Sequence, residues 1–125
     1  DLEKGQIEVA RRDTKEKSSV PVEGVVEYVV QLLDDIQDNL FAKAKAYRDD
    51  HITEVDDFDT FKELLDSKAG FFSAHWDGTT ETEKKIKELT KATIRCIPLD
   101  QPEEDGKCIL TGAPSKQRVL FAKAY

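Results

Sequence analysis

The chain has 125 residues, 38% of them hydrophobic and 36% charged, with 26 Asp and Glu against 19 Lys and Arg for a formal net charge of −7. That length suits one domain with part of a neighbour, and the apolar share is enough for a buried core, which sets the chain apart from disordered polar tracts. The acidic balance excludes a surface that is a nucleic-acid platform throughout, because affinity for phosphates comes mainly from Lys and Arg.

Gln6 to Arg11 reads as a short strand, with Ile7 and Val9 alternating against Glu8, and the polar Thr14 to Ser19 reads as a linker. Pro21 is expected to open the longest helix, since proline is well tolerated in a first turn, with Gly24 inside that turn and the helix running to about Arg48. Val22, Val25, Val26, Val29, Leu33, Ile36, Leu40 and Ala44 recur at steps of three and four, so this stripe is expected to face a core. Ile52 to Val55 is a strand candidate. Asp56 or Asp57 can cap a second helix with Phe58, Phe61, Leu64 and Leu65 on its inner face, and Gly70 is placed to end it in a left-handed turn.

Phe71 to Trp76 is an aromatic strand between Gly70 and Gly78. Thr80 followed by Glu83 forms a capping box for a third helix, with Ile86 and Leu89 inward. Thr93 to Leu99 is a β run that Pro98 places near a sheet edge. After an acidic loop, Gln101 to Lys107, come two closing strands, Cys108 to Leu110 and Val119 to Phe121, joined by the turn-rich Thr111 to Lys116. This alternation implies an α+β fold of two layers, a mixed β-sheet packed against helices, with a long N-terminal helix.

The chain begins at Asp1 and contains no Met, which points to a processed product or a piece cut from a longer chain. No run of roughly eighteen apolar residues marks a membrane span, and no basic-then-apolar layout marks a leader. The expected location is the cytoplasm. Cys96 and Cys108 fall short of a disulfide framework and are expected as reduced thiols, a single cross-strand bridge being the alternative.

Charge is unevenly placed. Asp49, Asp50, Glu54, Asp56, Asp57 and Asp59 crowd one stretch with no Lys or Arg, whereas Lys116, Arg118 and Lys123 follow Gly112 with no acidic side chain among them. The ends could touch RNA, and the middle would repel it. There is no phosphate-binding Gly loop, no HExxH and no nucleophile elbow. The paired acids Asp34/Asp35 and Asp56/Asp57 read as a solvated face and a helix cap, His51 as a surface residue and His75 as a satisfied core residue. Cys108-Ile109-Leu110-Thr111-Gly112 has the outline of half a zinc site, but Thr111 stands where the second cysteine would be. No catalytic residue is assigned.

Several stretches together resemble prolyl-tRNA synthetase of the archaeal and eukaryotic-like type, over essentially the whole chain. Asp1-Leu2-Glu3-Lys4-Gly5 with Gln6 to Asp13 is similar to the last strand of that family's anticodon-binding domain, and Ala92 to Pro98 is similar to a segment of its C-terminal domain. Phe121-Ala122-Lys123-Ala124-Tyr125 is similar to the family's ending. The resemblance divides the chain into residues 1–18, the end of the anticodon-binding domain with a linker, and residues 19–125, the C-terminal, zinc-binding-like domain. It implies a homodimeric parent that joins proline to its tRNA with ATP and Mg2+, by a class II catalytic domain upstream, so that this chain is catalytically silent.

Many family members hold a structural zinc here with cysteines spaced Cys-x4-Cys and, after a long gap, Cys-x2-Cys. The four places fall on Asp77, Thr82, Cys108 and Thr111, so one thiol remains and zinc is expected to be absent. A site rescued by His75, Asp77 and Cys108 is the alternative. The resemblance also implies that the carboxylate of Tyr125 reaches toward the parent's active site. The leading role is thus a structural appendix that supports the catalytic domain. The rivals are an auxiliary tRNA-contacting module, using Arg11, Arg12, Lys15 and Lys17 beside the C-terminal bases, and an independent partner-binding protein.

Overall fold

The computed structural model describes residues 2–124, and the chain forms two compact units, Asp1–Tyr47 and Arg48–Tyr125. In the first, a 3-10 turn at Leu2–Lys4 leads into strand β1, Gln6–Ala10. It pairs antiparallel with β2, Lys17–Pro21, in a register running from Gln6 opposite Pro21 to Ala10 opposite Lys17. The expected linker over Thr14–Ser19 is therefore corrected, since its second half is a strand. Lys17-Ser18-Ser19 lacks apolar alternation, yet its backbone groups find ladder partners. Between the strands the N–H of Arg11 donates to the Glu16 carbonyl at 2.9 Å.

Pro21 ends β2, where a missing N–H does little harm, rather than opening a helix. Gly24, at φ +76°, turns the chain into helix α1, Val25–Asp50, and its carbonyl accepts the first helical bond from Tyr28 at 3.1 Å. The expected core stripe is overturned: none of α1's residues is buried, and Val26, Leu33 and Leu40 are 68%, 62% and 50% exposed. The reason is one of reach. At 1.5 Å per residue, the 26 residues of α1 extend about 39 Å, whereas a five-residue strand of the hairpin extends about 17 Å. Half-buried positions are confined to Val25, Leu32, Ile36 and Asn39. A polar clasp joins this face to the hairpin turn: the carboxylate of Asp13 accepts from Arg11 at 2.7 and 3.0 Å and from Asn39 at 2.6 Å, and Lys43 donates to its carbonyl.

The second unit carries a four-stranded mixed sheet, as expected. Its strands are β3 (Ile52–Glu54), β4 (Phe71–His75), β5 (Ala92–Cys96) and a last strand (Arg118–Lys123) that follows the two-residue strands β6 (Gly106–Lys107) and β7 (Pro114–Ser115) and is therefore β8. The order is β3-β4-β8-β5, with β3 and β4 parallel and the other pairs antiparallel. β8 is thus a central strand, although it is the last in sequence.

Helix α2, Phe58–Ser67, is capped by Asp57, whose side chain accepts from the N–H of Thr60 at 2.8 Å. Its inner face is the expected one: Phe61 is fully buried, packs edge-on to Phe72 and Phe121 with centroids 6.0 and 5.4 Å away, and is joined by Leu65, with Phe58 and Leu64 alongside. Helix α3, Thr80–Thr90, adds the fully buried Ile86. Together with Val119 and Ala74 these side chains make the core.

Local expectations fail at several places. Lys68 caps α2 in an extended conformation, and the positive φ of Gly70 (+121°) serves instead the entry to β4, where a Cβ would strike the His51 carbonyl. The cap of α3 is Thr79 rather than Thr80, and Leu89 faces outward at 55% exposure, with Thr82 and Thr90 beside Ile86 on the inner side. β5 stops at Cys96, leaving Ile97 and Leu99 exposed. Cys108 to Leu110 forms a turn, not a strand, because Cys108 bonds locally, its N–H to the Ala113 carbonyl and its carbonyl to the Gly112 N–H, both at 2.8 Å. The closing hairpin is β6 with β7.

Candidate functional site

The corner between β4 and α3 gathers the residues that the sequence singled out. Asp77 lies just past β4, Thr82 in the first turn of α3, and Thr111 comes in from the turn between β6 and β7. One carboxylate oxygen of Asp77, Oδ2, accepts from the hydroxyls of Thr82 at 2.7 Å and Thr111 at 3.0 Å. The other, Oδ1, accepts from the N–H of Thr79 at 3.0 Å. The Thr79 hydroxyl lies 2.9 Å from that same oxygen and 3.0 Å from the Thr82 hydroxyl, and its single proton serves both. Burial pushes the Asp77 carboxyl up, but the donors from Thr82, Thr79 and Thr111 outweigh it and hold its pKa down at about 2.

Thr79 is the member that sequence reading missed. Asp77 fixes its N–H and hydroxyl, which decides the cap in favour of Thr79 over its neighbour Thr80. The available signal was the Asp-x-Thr pattern itself, since an Asp side chain readily bonds the backbone N–H two residues on.

His75 is buried at 3% exposure, as expected of a core residue, but the expectation that it is satisfied is corrected, because one ring nitrogen is left without a partner. The Ser115 hydroxyl lies 3.1 Å from Nδ1 of His75 and also reaches the carbonyls of Trp76 and Gln117 at 2.8 and 3.0 Å. Nε2 has no hydrogen-bond partner. It lies 3.7 Å from Glu104 and is covered by Gly106, where a Cβ would collide with the ring. Beside it the buried guanidinium of Arg118 holds Glu104 at 2.9 Å, Asp56 at 2.7 Å and the Ser73 carbonyl at 3.2 Å, and pulls the Glu104 carboxyl below its usual range. Neither sequence pair of acids forms a site: Asp57 is a cap, Asp56 an ion-pair partner, and Asp34 and Asp35 are exposed on α1. Cys108 is buried, Cys96 is exposed, and both are free thiols. Tyr125 lies outside the described residues. No described helix is long and apolar enough to cross a membrane.

Residues 58–125 match the family described as "Prolyl-tRNA synthetase, C-terminal". The chain belongs to the prolyl-tRNA synthetase family. Over all 125 residues it is 64% identical to a proline–tRNA ligase of Christiangramia forsetii, 62% to one of Flavobacterium johnsoniae and 59% to one of Cytophaga hutchinsonii. It spans about a quarter of the length of these relatives.

Within this family's C-terminal domain, three of the four positions of the implied zinc cysteines, Asp77, Thr82 and Thr111, meet at this corner, and the donor set does not fit the metal. A carboxylate offers about four lone-pair sites, and those of Asp77 already face four donor groups from three threonines. Neutral hydroxyls that are donating protons are poor ligands for zinc, and Cys108 alone cannot complete a tetrahedron. Among the described residues no three His, Cys, Asp or Glu side chains come together as a metal-binding group. The synthetase corner here is cross-linked by hydrogen bonds.

Proposed function

We propose that the chain is the folded, non-catalytic C-terminal appendix of a proline–tRNA ligase, supporting the catalytic domain of the same polypeptide. The identity of 64% along the entire chain to one quarter of a protein bearing that name carries the reading. In the proposed parent, a class II catalytic domain upstream joins proline to tRNA(Pro) with ATP and Mg2+, as a homodimer in the cytoplasm. Residues 1–18 end its anticodon-binding domain, with the division falling inside β2, and residues 19–125 form the C-terminal domain. Tyr125 presents its carboxylate toward the parent's active site.

The chain's own chemistry supports a structural role. Its perturbed carboxyls are tied to hydroxyls and cations of the fold, and three of its seven basic candidates are spent within it: Arg11 on Asp13, Arg118 on Glu104 and Asp56, Lys123 on Asp66. A tRNA-binding face would need those three free for phosphates and would otherwise rest on Arg12, Lys15, Lys17 and Lys116. The test is proline-dependent exchange of pyrophosphate into ATP. The parent is expected to support it, the 125-residue chain to show none, and a parent truncated before the second unit to turn over more slowly or lose stability. Exchange by the chain alone, or tRNA binding by it with a steep salt dependence, would defeat the proposal.

A further inference from the structure

We infer that the cleft at the end of the sheet where β8 finishes is a binding site for a small anion with an apolar body, an aryl or acyl carboxylate; this goes beyond the ligase reading and does not depend on it. The local sequence opens the space. Lys68 leaves α2 in an extended conformation, and only Ala69 and Gly70 then separate it from β4. Gly70 tolerates nothing larger, because a Cβ there would strike the His51 carbonyl. On β8 and just past it, Ala122 and Ala124 are equally small, and the corner between α2 and the sheet stays open. The cleft has a volume of about 760 Å³, inside the range of roughly 300–1,000 Å³ usual for small-molecule sites. Its wall is apolar, made by the buried Leu65, Phe72 and Ala122 and the half-buried Phe71.

The charges choose the ligand. The chain carries a net charge of −7, yet Lys68, Arg95 and Lys123 line this cleft and, among the described residues, no Asp or Glu does. Lys123 is shared at 2.6 Å with Asp66, which stands outside the lining, and Lys68 donates to the Thr53 hydroxyl at 2.8 Å. Arg95 is exposed, and its guanidinium has no hydrogen bond or ion pair among the described residues. That planar fork fits a carboxylate with two parallel bonds.

The same three side chains are the only polar ones in the lining, and all of them donate without accepting. A nucleotide brings N–H and O–H donors that find no side-chain acceptor on such a wall, and unanswered donors cost affinity. A hydrocarbon or aryl body asks the wall only for contact, and its carboxylate accepts from the cations. The cleft therefore favours an apolar carboxylate over a nucleotide of similar size.

Isothermal titration calorimetry on the 125-residue chain tests this, with 2-naphthoate and decanoate as probes, 2-naphthylmethanol as the neutral comparator and AMP as the nucleotide. At least one of the two anions should bind once per chain, with 2-naphthylmethanol and AMP weaker by roughly tenfold or more. Whichever anion binds more tightly tells whether the body is aryl or acyl. Arg95→Gln should weaken the anion roughly tenfold, and Arg95→Lys, which keeps the charge, should restore much of it. Arg12→Gln removes an exposed cation outside the cleft and should change nothing. The parent synthetase should bind the same anion with the same dependence on Arg95. No binding of either anion, equal affinity for AMP or the neutral comparator, or indifference to Arg95→Gln would overturn the inference. So would binding that is lost in the parent, which would make the cleft a covered contact. Binding seen only after Tyr125 is deleted would assign the cleft to the chain's own last residue and overturn it too.

Discussion

Replacing Asp77 by Ala removes the acceptor for four donor groups at one stroke. Thr79 and Thr111 are exposed and can turn to water, but Thr82 is 5% exposed and keeps only the Thr79 hydroxyl as a partner. A hydrogen bond to a charged group contributes about 1.5–3 kcal/mol where the partner is left buried, and much less where water replaces it. The charge offers a second measure. A carboxyl lowered from 3.8 to about 2 corresponds to about 2.4 kcal/mol at full strength, and solvent screening of this half-exposed group reduces it to about 1 kcal/mol. The two together place the loss at about 2 kcal/mol, or about 10 °C in Tm for a unit the size of Arg48–Tyr125. Asp77→Asn keeps the shape and loses mainly the charge, so it should cost about half as much. Because the folded pKa is depressed, the ionic part of the stabilisation is fully present above about pH 4 and disappears as pH falls toward 2. Thermal and urea unfolding of the three proteins from pH 7 to pH 2 measures this. An unchanged midpoint for Asp77→Ala, or a gap between native protein and Asp77→Asn that persists undiminished at pH 2, would refute the reasoning.

Elemental analysis of protein purified without chelator should give far less than one zinc per chain. Asp77→Cys/Thr82→Cys/Thr111→Cys, which joins three thiols to Cys108, should gain close to one. Gly106→Ala should destabilise the second unit by about 1–3 kcal/mol, because the added methyl meets the His75 ring, itself held by Ser115; a midpoint equal to that of the native chain would show that the ring can move aside. Deleting Tyr125 from the parent should lower proline activation or aminoacylation while the unfolding midpoint of this chain stays put, and unchanged kinetics would reduce the ending to an edge of the fold.

Much of the second unit was legible because its side chains face one consistent core. Phe58, Phe61 and Leu65 announced α2, and the apolar run Val119 to Phe121 announced part of a buried strand. Periodicity was a poor guide on α1, because spacing reports that a face is apolar and not whether anything in the same chain covers it. Strand β2 was hidden for the opposite reason: Lys17, Ser18 and Ser19 pair through their backbone and carry no apolar signal. Cys108-Ile109-Leu110 misled because a buried turn and a strand share apolar composition. The Asp77 corner could be placed only through the family resemblance, since threonine hydroxyls are too common to mark a cluster spread over 34 residues.

The central place of β8 has a bearing on how the protein is made. Chains are synthesised from the N-terminus, so α2, β4, α3 and β5 have all been made before the strand that joins β4 to β5. Until then Phe72 and Ile94 lack Phe121, the residue opposite both, and the two strands keep open edges that invite wrong pairing. A transcript cut short anywhere before Arg118 yields a polypeptide that cannot close this sheet at all. Closure of the second unit therefore certifies that decoding has run through residue 118 and beyond, and prematurely terminated products should remain protease-sensitive and exposed to quality control.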